Sequence, residues 1–338
     1  MTRTDRNSWR TRAERLAQAI PPSRWHPAAL AWAEARPAAE RWAVAFSGGA
    51  DSLCLLLLLW ARWPQRRARL TALHFDHRLR GAEARADARF CAEVCAGLGI
   101  RLVAGAWAGR KKSTSEAAAR AARLAFFAAA MRRERLRALW LGHQQDDIAE
   151  SLFMRLARGS GTGGLAAPRP AQPGPFRRMH VRPLLELKKA EIAAALRRAG
   201  CRWREDASNA GEDYFRNRVR RAVLPAWIRA SGRDALAGAA CSRGLLEEDD
   251  AALEFWVQAL DLFTPHGRLK LKALAGLPRA VTRRALHRWL QLQPEAGDLS
   301  RRGFTALLEA VERGEAVRHS LGRGFAVIRG GWLQFVRP

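Results

Sequence analysis

The hexapeptide Ser47-Gly48-Gly49-Ala50-Asp51-Ser52 has the residue types of a phosphate-binding turn. Apolar runs at residues 42–46 and 53–60 flank it, which places it between a strand and a helix. Paired glycines let the backbone approach an anion, and the first amides of a helix have no intrahelical acceptor. Ser47 and Ser52 add hydroxyl donors, and Asp51 suits the Mg²⁺ ion that accompanies a nucleoside triphosphate. We therefore predict that residues 47–52 bind ATP.

A second candidate group begins after another apolar run, at His143. His143, Asp146, Asp147 and Glu150 are spaced i, i+3, i+4 and i+7, so a helix presents all four on one face. Two acids in the first turn of a helix also favour the helix dipole without any further role. In a basic half-chain beside a phosphate turn, however, an acidic row requires a cation. The candidates are Mg²⁺, with Asp146 as a further ligand, and a substrate amine.

Two further motifs carry charged or titratable groups. Glu116, Arg120 and Arg123 share one face of an alanine-rich helix, either as a solvated stripe of ion pairs or with the arginines directed at phosphate. The segment His74-Phe75-Asp76-His77-Arg78-Leu79-Arg80 follows an apolar run, and a histidine there is either a packed side chain or part of the site.

The elements that must position these residues alternate between strand and helix. Apolar runs predict strands at residues 42–46, 70–75, 100–104 and 138–142, with helical stretches between them. This alternation predicts an α/β fold, a parallel sheet with helices on both faces. Ligands of such sheets bind beyond the carboxyl ends of the strands, where three of the motifs lie.

Composition limits the class of protein and of partner. The formal net charge is +27, and residues 226–338 account for only +5 of it. A positive field of this size over residues 1–225 favours a polyanion, most plausibly nucleic acid. Five cysteines with no CxxC pair argue against a disulfide framework or a metal cluster, and Cys91 and Cys95 are expected to be buried. No apolar run is long enough for a membrane span or a secretory signal, so we expect a cytoplasmic protein with no membrane partner.

The chain is expected to divide into three parts. Residues 1–40 form a helical extension, either an RNA-contacting arm or a packing element, and residues 41–225 form the α/β domain. Within it, the Gly/Pro-rich residues 159–183 are expected to form an irregular, mobile loop. Residues 226–338 form a mainly helical domain with helices at 245–263, 279–292 and 299–312. A β-hairpin at 325–336 turns at Gly330-Gly331 and ends this domain.

Taken in order, the motifs resemble the tRNA(Ile)-lysidine synthases, a branch of the N-type ATP pyrophosphatases, also called PP-loop ATPases. The resemblance covers about 185 residues and continues through several motifs after the acidic row, namely Arg155-Leu-Ala-Arg158-Gly159-Ser160-Gly161, Arg182-Pro183-Leu184-Leu185, Trp203-Arg204-Glu205-Asp206-Ala207-Ser208-Asn209 and Arg216-Asn217-Arg218-Val219-Arg220. Two positions depart from the family pattern, because Arg78 replaces its usual glycine and Leu124 its usual tyrosine.

The resemblance implies an activity and its partners. It implies ATP-dependent ligation of L-lysine to C2 of the wobble cytidine of the CAU-anticodon tRNA(Ile), through an adenylated cytidine, with release of pyrophosphate and AMP. A homodimer is compatible with the sequence, which does not determine the oligomeric state.

The resemblance also assigns roles to residues. ATP contacts fall on residues 47–52 and His77, Mg²⁺ on Asp51 and Asp146, and L-lysine on Asp147 and Glu150. His143 or His77 is the candidate proton acceptor. The residues expected to act in catalysis are Asp51, Arg120, Arg123, His143 and Asp147. The residues expected to contact tRNA are Arg158, Arg204, Arg216 and Arg220. The domain formed by residues 226–338 is expected to contact tRNA as well.

Three other readings remain at this point. A tRNA cytidine thiolation enzyme of the same superfamily would activate the base in the same way, but such enzymes use paired cysteines that this sequence lacks. An amide-forming synthetase would share the phosphate turn without the basic surplus. A non-catalytic RNA-binding protein would not require Asp51, Asp146 and Asp147.

Overall fold

The computed structural model describes residues 3–77, 82–107, 116–174, 178–205, 214–293 and 299–337. The chain forms two compact units, unit 1 (Met1–Leu245) and unit 2 (Leu246–Pro338). Residues 3–40 therefore belong to the same unit as the sheet, and the division falls about twenty residues later than the expected 225/226 boundary.

A six-stranded sheet organises unit 1. Its strands are β1 (Trp42–Ala45), β2 (Leu70–Asp76), β3 (Arg101–Ala106), β4 (Ala138–Trp140), β5 (Ala171–Gly174) and β6 (Arg178–Val181). The strand order is β3-β2-β1-β4-β6-β5, and every pairing is parallel except that of the edge strand β5 with β6. The parallel sheet predicted from the alternating pattern is thus confirmed, with β1 at its centre.

Helices cover both faces of this sheet. In unit 1 they are α1 (Arg3–Ala19), α2 (Pro27–Glu34), α3 (Ala50–Arg62), α4 (Ala82–Leu98), α5 (Glu116–Arg133), α6 (Gln145–Leu156), α7 (Thr162–Leu165), α8 (Lys189–Arg198), α9 (Phe215–Arg218) and α10 (Leu224–Ser231), and α11 (Ala235–Ala259) contains the boundary between the units. Side chains of β1 alternate between two cores, because Trp42 and Val44 join α3 and α4 on one face while Ala43 joins α5 on the other. Cys91 and Cys95 are buried in the first core, as expected.

Helix α1 contributes to the first core. Trp9, Ala13, Leu16 and Ile20 recur at helical spacing and are each at most 4% exposed. A Cβ added to Gly97 of α4 would lie 2.7 Å from the Trp9 ring, so the two helices pack closely only because residue 97 is glycine. Residues 9–20 therefore pack against the domain.

The expectation of an irregular loop over residues 159–183 is wrong. This segment contains α7, β5 and β6. The irregular loop was predicted from the proline and glycine content of the segment. Pro173 lies in the edge strand β5, where a missing N–H is tolerated because, within the described residues, β5 pairs with a strand on one side only. Gly174 is required by packing, since a Cβ there would lie 2.7 Å from the His180 ring. Both residues therefore fit a strand.

Unit 2 combines helices with a second sheet. It contains α12 (Arg279–Gln291), α13 (Arg301–Arg313), β7 (Leu269–Lys270), β8 (Arg318–Ser320), β9 (Phe325–Arg329) and β10 (Trp332–Val336). The predicted hairpin is confirmed, because β9 and β10 pair antiparallel across Gly330 and Gly331, both with positive φ. The helix predicted at 245–263 is wrong at its start, since α11 begins ten residues earlier. Among the described residues no helix is both long and apolar enough to cross a bilayer.

Candidate active site

The turn between β1 and α3 has a left-handed residue at its centre. Gly48 has a φ of +89°, and Gly49 caps α3, whose first amides at Ala50 and Asp51 have no intrahelical acceptor. The two serines pair within the turn: the Ser47 amide donates to Ser52 Oγ at 3.2 Å, and Ser52 Oγ donates to the Gly49 carbonyl at 3.0 Å. Their hydroxyls, 3.0 Å apart, therefore hold the turn in shape.

Gly142 brings the acidic row against this turn. A Cβ built on Gly142 would lie 2.8 Å from the backbone oxygen of Asp51, so the connection from β4 to α6 touches the first turn of α3. Because β1 and β4 are parallel neighbours, both turns leave the same edge of the sheet. The phosphate turn and the acidic row thus meet at one site.

The first turn of α6 is held by a cap that sequence reasoning missed. The side-chain oxygen Oε1 of Gln144 accepts from the backbone N–H of Asp146 at 2.6 Å. The backbone N–H of Gln144 donates to Asp147 Oδ2 at 3.2 Å. The reciprocal pattern is a capping box with glutamine in the place of serine or threonine. Asp146 Oδ2 accepts from the Lys189 amide at the start of α8 at 3.0 Å, which fixes a third element beside the site.

Asp51 is the acid with an uncompensated oxygen. Its Oδ1 is buried and accepts no hydrogen bond from any donor within the described residues. Burial, together with the nearby charges of Asp147 and Asp146, raises the pKa of Asp51 to about 7. Among the described residues no three His, Cys, Asp or Glu side chains form a complete metal site. An orphaned carboxylate oxygen beside a second aspartate instead fits Mg²⁺, which takes one or two carboxylates and completes its shell with phosphate oxygens and water.

Asp147 and Glu150 are paired with two arginines of the segment that follows residue 213. Arg216 donates to Asp147 Oδ1 and to Glu150 Oε2, both at 2.7 Å, and Arg220 donates to Glu150 Oε1 at 2.5 Å. Glu150 is 1% exposed. Charges this deeply buried require such partners. From the sequence, these acids were predicted to bind lysine and these arginines to contact tRNA. In the structure they form ion pairs with each other. Their roles toward substrates stay predictions.

His143 lies among arginines. Arg182 Nε donates to His143 Nδ1 at 3.1 Å, and Arg182 Nη1 donates to the carbonyl of Arg169 at 2.7 Å. Burial and the charges of Arg182, Arg216, Arg120 and Arg123 hold the pKa of His143 well below its ordinary value. The imidazole is therefore neutral with its proton on Nε2, which leaves Nε2–H as a hydrogen-bond donor. Sequence reasoning noted Arg182 only within a family motif and did not place it here.

The remaining predicted residues have different surroundings. Arg120 and Arg123 of α5 act electrostatically on His143, so they border the site. His77, at the end of β2, packs edge-on against Phe75, with ring centroids 4.9 Å apart. Arg158 is exposed just beyond α6. Residues 78–81, the Glu116 side chain and residues 206–209 lie outside the described part of the chain.

Arg204 lies on the opposite side of the phosphate turn, toward α4. Its amide donates to the Gly48 carbonyl at 3.0 Å, and its Nε donates to Asp87 Oδ1 at 2.7 Å. The backbone of residue 204 therefore supports the turn, and its side chain is ion-paired with Asp87 of α4.

A PP-loop domain matches residues 26–227, which include the sheet and every residue of the site. The chain belongs to the PP-loop family, a family of ATP-binding domains.

Two curated relatives, both named tRNA(Ile)-lysidine synthase, are similar to more of the chain. The protein of Solibacter usitatus is 36% identical over 302 residues, which is 86% of this chain and 64% of the relative. That of Xanthomonas campestris pv. campestris is 40% identical over 258 residues, 73% of this chain and 57% of the relative. The chain thus spans about three fifths of the length of these relatives.

A solved structure shares the fold. The U34-tRNA thiolase NcsA of Methanococcus maripaludis, determined with its [4Fe-4S] cluster, has a TM-score of 0.53 and 15% identity. The similarity covers 70% of this chain and 78% of that one.

Proposed function

We propose that this chain joins L-lysine to C2 of the wobble cytidine of the CAU-anticodon tRNA(Ile), consuming ATP and releasing pyrophosphate and AMP. The contact of Gly142 with the Asp51 backbone carries the proposal, because it brings the predicted phosphate turn and the row of carboxylates together. The similarity to relatives named tRNA(Ile)-lysidine synthase, over 86% of this chain, supports the choice of substrates.

In the first step, cytosine O2 attacks the α-phosphorus of ATP and pyrophosphate leaves. The amides at the start of α3 bind the phosphates, because they point away from the helix and carry the positive end of its dipole. Arg120 and Arg123 add positive charge where the leaving group develops negative charge. Asp51 and Asp146 would hold Mg²⁺, which supplies charge neutralisation on the phosphate oxygens.

In the second step, the ε-amine of lysine attacks C2, and AMP leaves with the former O2. The lysine ammonium must lose a proton first, because its ordinary pKa is near ~10.4. Asp147 and Glu150 bind the ammonium in this scheme, so lysine must replace Arg216 and Arg220 as their cationic partners. His143 already accepts a hydrogen bond at Nδ1, and therefore it donates from Nε2 to the substrate. The lysine proton passes instead to the carboxylate of Asp147 or Glu150 that binds the ammonium.

The target cytidine must leave the anticodon stack to reach this centre. Unstacking costs little in a single-stranded loop, and enzymes that modify a base commonly extrude it. The positive charge of residues 1–225 supports binding of the tRNA backbone.

The test is an incubation with ATP, labelled lysine and a tRNA(Ile) transcript carrying CAU. Lysine label on the RNA together with AMP supports the proposal, and label from a sulfur donor in its place would establish a thiolation enzyme. Asp51→Ala should reduce AMP formation by at least about 100-fold, because it removes both a metal ligand and charge next to the phosphates. Near-normal AMP release by this variant would remove Asp51 from the mechanism.

A further inference from the structure

A surface cleft of about 410 Å³ lies on the α4 side of the phosphate turn and includes Arg204, which is predicted above to contact tRNA. Ala86, Arg89, Phe90 and Glu93 of α4 line one wall, and Arg202, Trp203 and Arg204 line the other. The Phe90 ring and the Arg204 side chain separate it from the turn, since a Cβ on Gly48 would lie 3.3 Å from Phe90 and 3.6 Å from Arg204. The cleft and the reaction centre are thus adjacent but distinct.

The chemistry of the cleft is cationic and aromatic. Trp203 is partly exposed in it, with the Arg197 guanidinium 5.6 Å from its ring centroid. Arg89 is exposed and makes no ion pair within the described residues. Arg202 is 68% exposed and uses Nη2 to bind Glu93, at 2.6 and 2.8 Å, which leaves other N–H groups of its guanidinium for a further acceptor.

The backbone of this wall is held in place. Arg204 is joined to the turn through the Gly48 carbonyl and to α4 through Asp87, which is 6% exposed. On the other side, Phe90 packs edge-on against Trp9, with ring centroids 6.0 Å apart. A ligand would therefore meet a cleft whose walls are already ordered, which lowers the entropy cost of binding.

We propose that this cleft binds one nucleotide of single-stranded RNA next to the target cytidine, with its base stacked on Trp203 and its phosphate on Arg89 and Arg202. An aromatic ring beside guanidinium groups is the combination that binds single-stranded nucleic acid, because stacking accepts any base and arginine binds the phosphate. The site rests on the proposed function, since it requires RNA at the neighbouring centre. Phe90 lies between the cleft and Gly48, so the phosphates of an ATP bound at residues 47–52 would be on the far side of Phe90 from the stacked base.

The experiment measures binding of a fluorescent CAU anticodon stem–loop RNA by anisotropy, without catalysis. Trp203→Ala should raise the Kd about tenfold or more, while Trp203→Phe, which keeps a stacking face, should stay within about threefold. Arg89→Ala should raise the Kd about fivefold and lower the slope of log K against log salt by about 0.7, the value for one single-strand phosphate contact. Arg69→Ala is the matched control for the arginine variant and should change neither quantity, because Arg69 is exposed at the amino end of β2, away from the carboxyl ends of the strands.

A second series locates the bound nucleotide. Stem–loops with one abasic nucleotide at each loop position are tested against the protein with Trp203 and against Trp203→Ala. At the position that stacks on Trp203 the two changes should be non-additive, because each removes the same contact. Additive losses at every position, or an unchanged Kd in both Trp203→Ala and Arg89→Ala, would overturn the proposal.

The affinity for ATP distinguishes a cleft that binds an RNA base from one that binds the base of ATP. The Kd for ATP should be unchanged in Trp203→Ala, and a loss of ATP affinity with intact RNA binding would assign the cleft to ATP. The labelled-lysine assay is independent of these measurements. If the abasic series is non-additive but the protein transfers no lysine, the RNA subsite stands and the proposed activity is wrong. If the protein transfers lysine but the series is additive, the activity stands and the RNA subsite is wrong.

Discussion

At the phosphate turn, glycine residues shape the site as much as charged residues do. Gly48 adopts a left-handed φ of +89°, and Gly142 allows the α6 turn to touch the Asp51 backbone. The charged residues are then brought within one buried network in which Glu150 depends on Arg216 and Arg220. Breaking a buried ion pair is costly, so these arginines can leave only when another cation replaces them.

The contact at Gly142 gives a prediction at the same scale. Gly142→Ala places a methyl group 2.8 Å from a backbone oxygen that cannot move without shifting the start of α3. We expect ATP affinity to fall at least about tenfold, with a loss of stability of about 1–3 kcal/mol from overpacking. Isothermal titration with ATP and thermal unfolding measure the two effects.

Gly161→Ala is the matched control, because nothing lies within 4 Å of a Cβ there and its φ of −81° is open to alanine. It should bind ATP as the parent protein does. If Gly142→Ala also binds ATP normally, the two turns are not coupled.

Among the elements, α1 and β5 show how packing decides what a segment does. Helix α1 lies outside the strand-helix alternation, yet Trp9 is 1% exposed and touches both Phe90 and Gly97 of α4. Since Phe90 also borders Gly48, α1 supports the wall of the phosphate turn from behind. Strand β5 forms from a segment with the composition of a loop, because an edge position accepts proline.

We predict that Trp9→Ala destabilises unit 1 strongly. Truncating a buried tryptophan to alanine typically costs about 3–5 kcal/mol, because a cavity is left. In a unit of this size the midpoint of thermal unfolding should fall by about 10 °C. Trp256→Ala, at a tryptophan that is 43% exposed, should lower it by less than about 2 °C. Equal midpoints for the two variants, measured by calorimetry, would show that α1 is dispensable for the core.

For the whole molecule, the distribution of charge matters more than any single contact. The net charge is +27, of which residues 1–225 carry all but +5, and the acids of that part include the ion-paired and turn-facing groups of the site. Residues 1–225 hold 42 of the 59 Lys and Arg residues and 20 of the 32 Asp and Glu residues. Such a field attracts RNA before any specific contact forms.

This field predicts a steep dependence of RNA binding on salt. Raising NaCl from about 50 to about 200 mM should weaken binding of the CAU transcript at least about 100-fold, because counterions must be displaced at several phosphates. The Kd for ATP, measured in the same buffers, should change by much less. An RNA affinity that varied by less than about threefold would assign binding to non-ionic contacts and leave the charge without a role in it.

The sequence by itself determined the phosphate turn, the one-faced acidic row and the parallel sheet, because each depends on residues close together in the chain. Turn geometry at Gly48, helical spacing from His143 to Glu150 and the alternation of apolar runs are local properties. Tertiary structure alone decided which charges neutralise one another. Arg216 and Glu150 are 66 residues apart in the chain, so no local pattern predicts that they pair. The pair forms because Glu150 is buried in the folded protein, where an unpaired charge would be too costly.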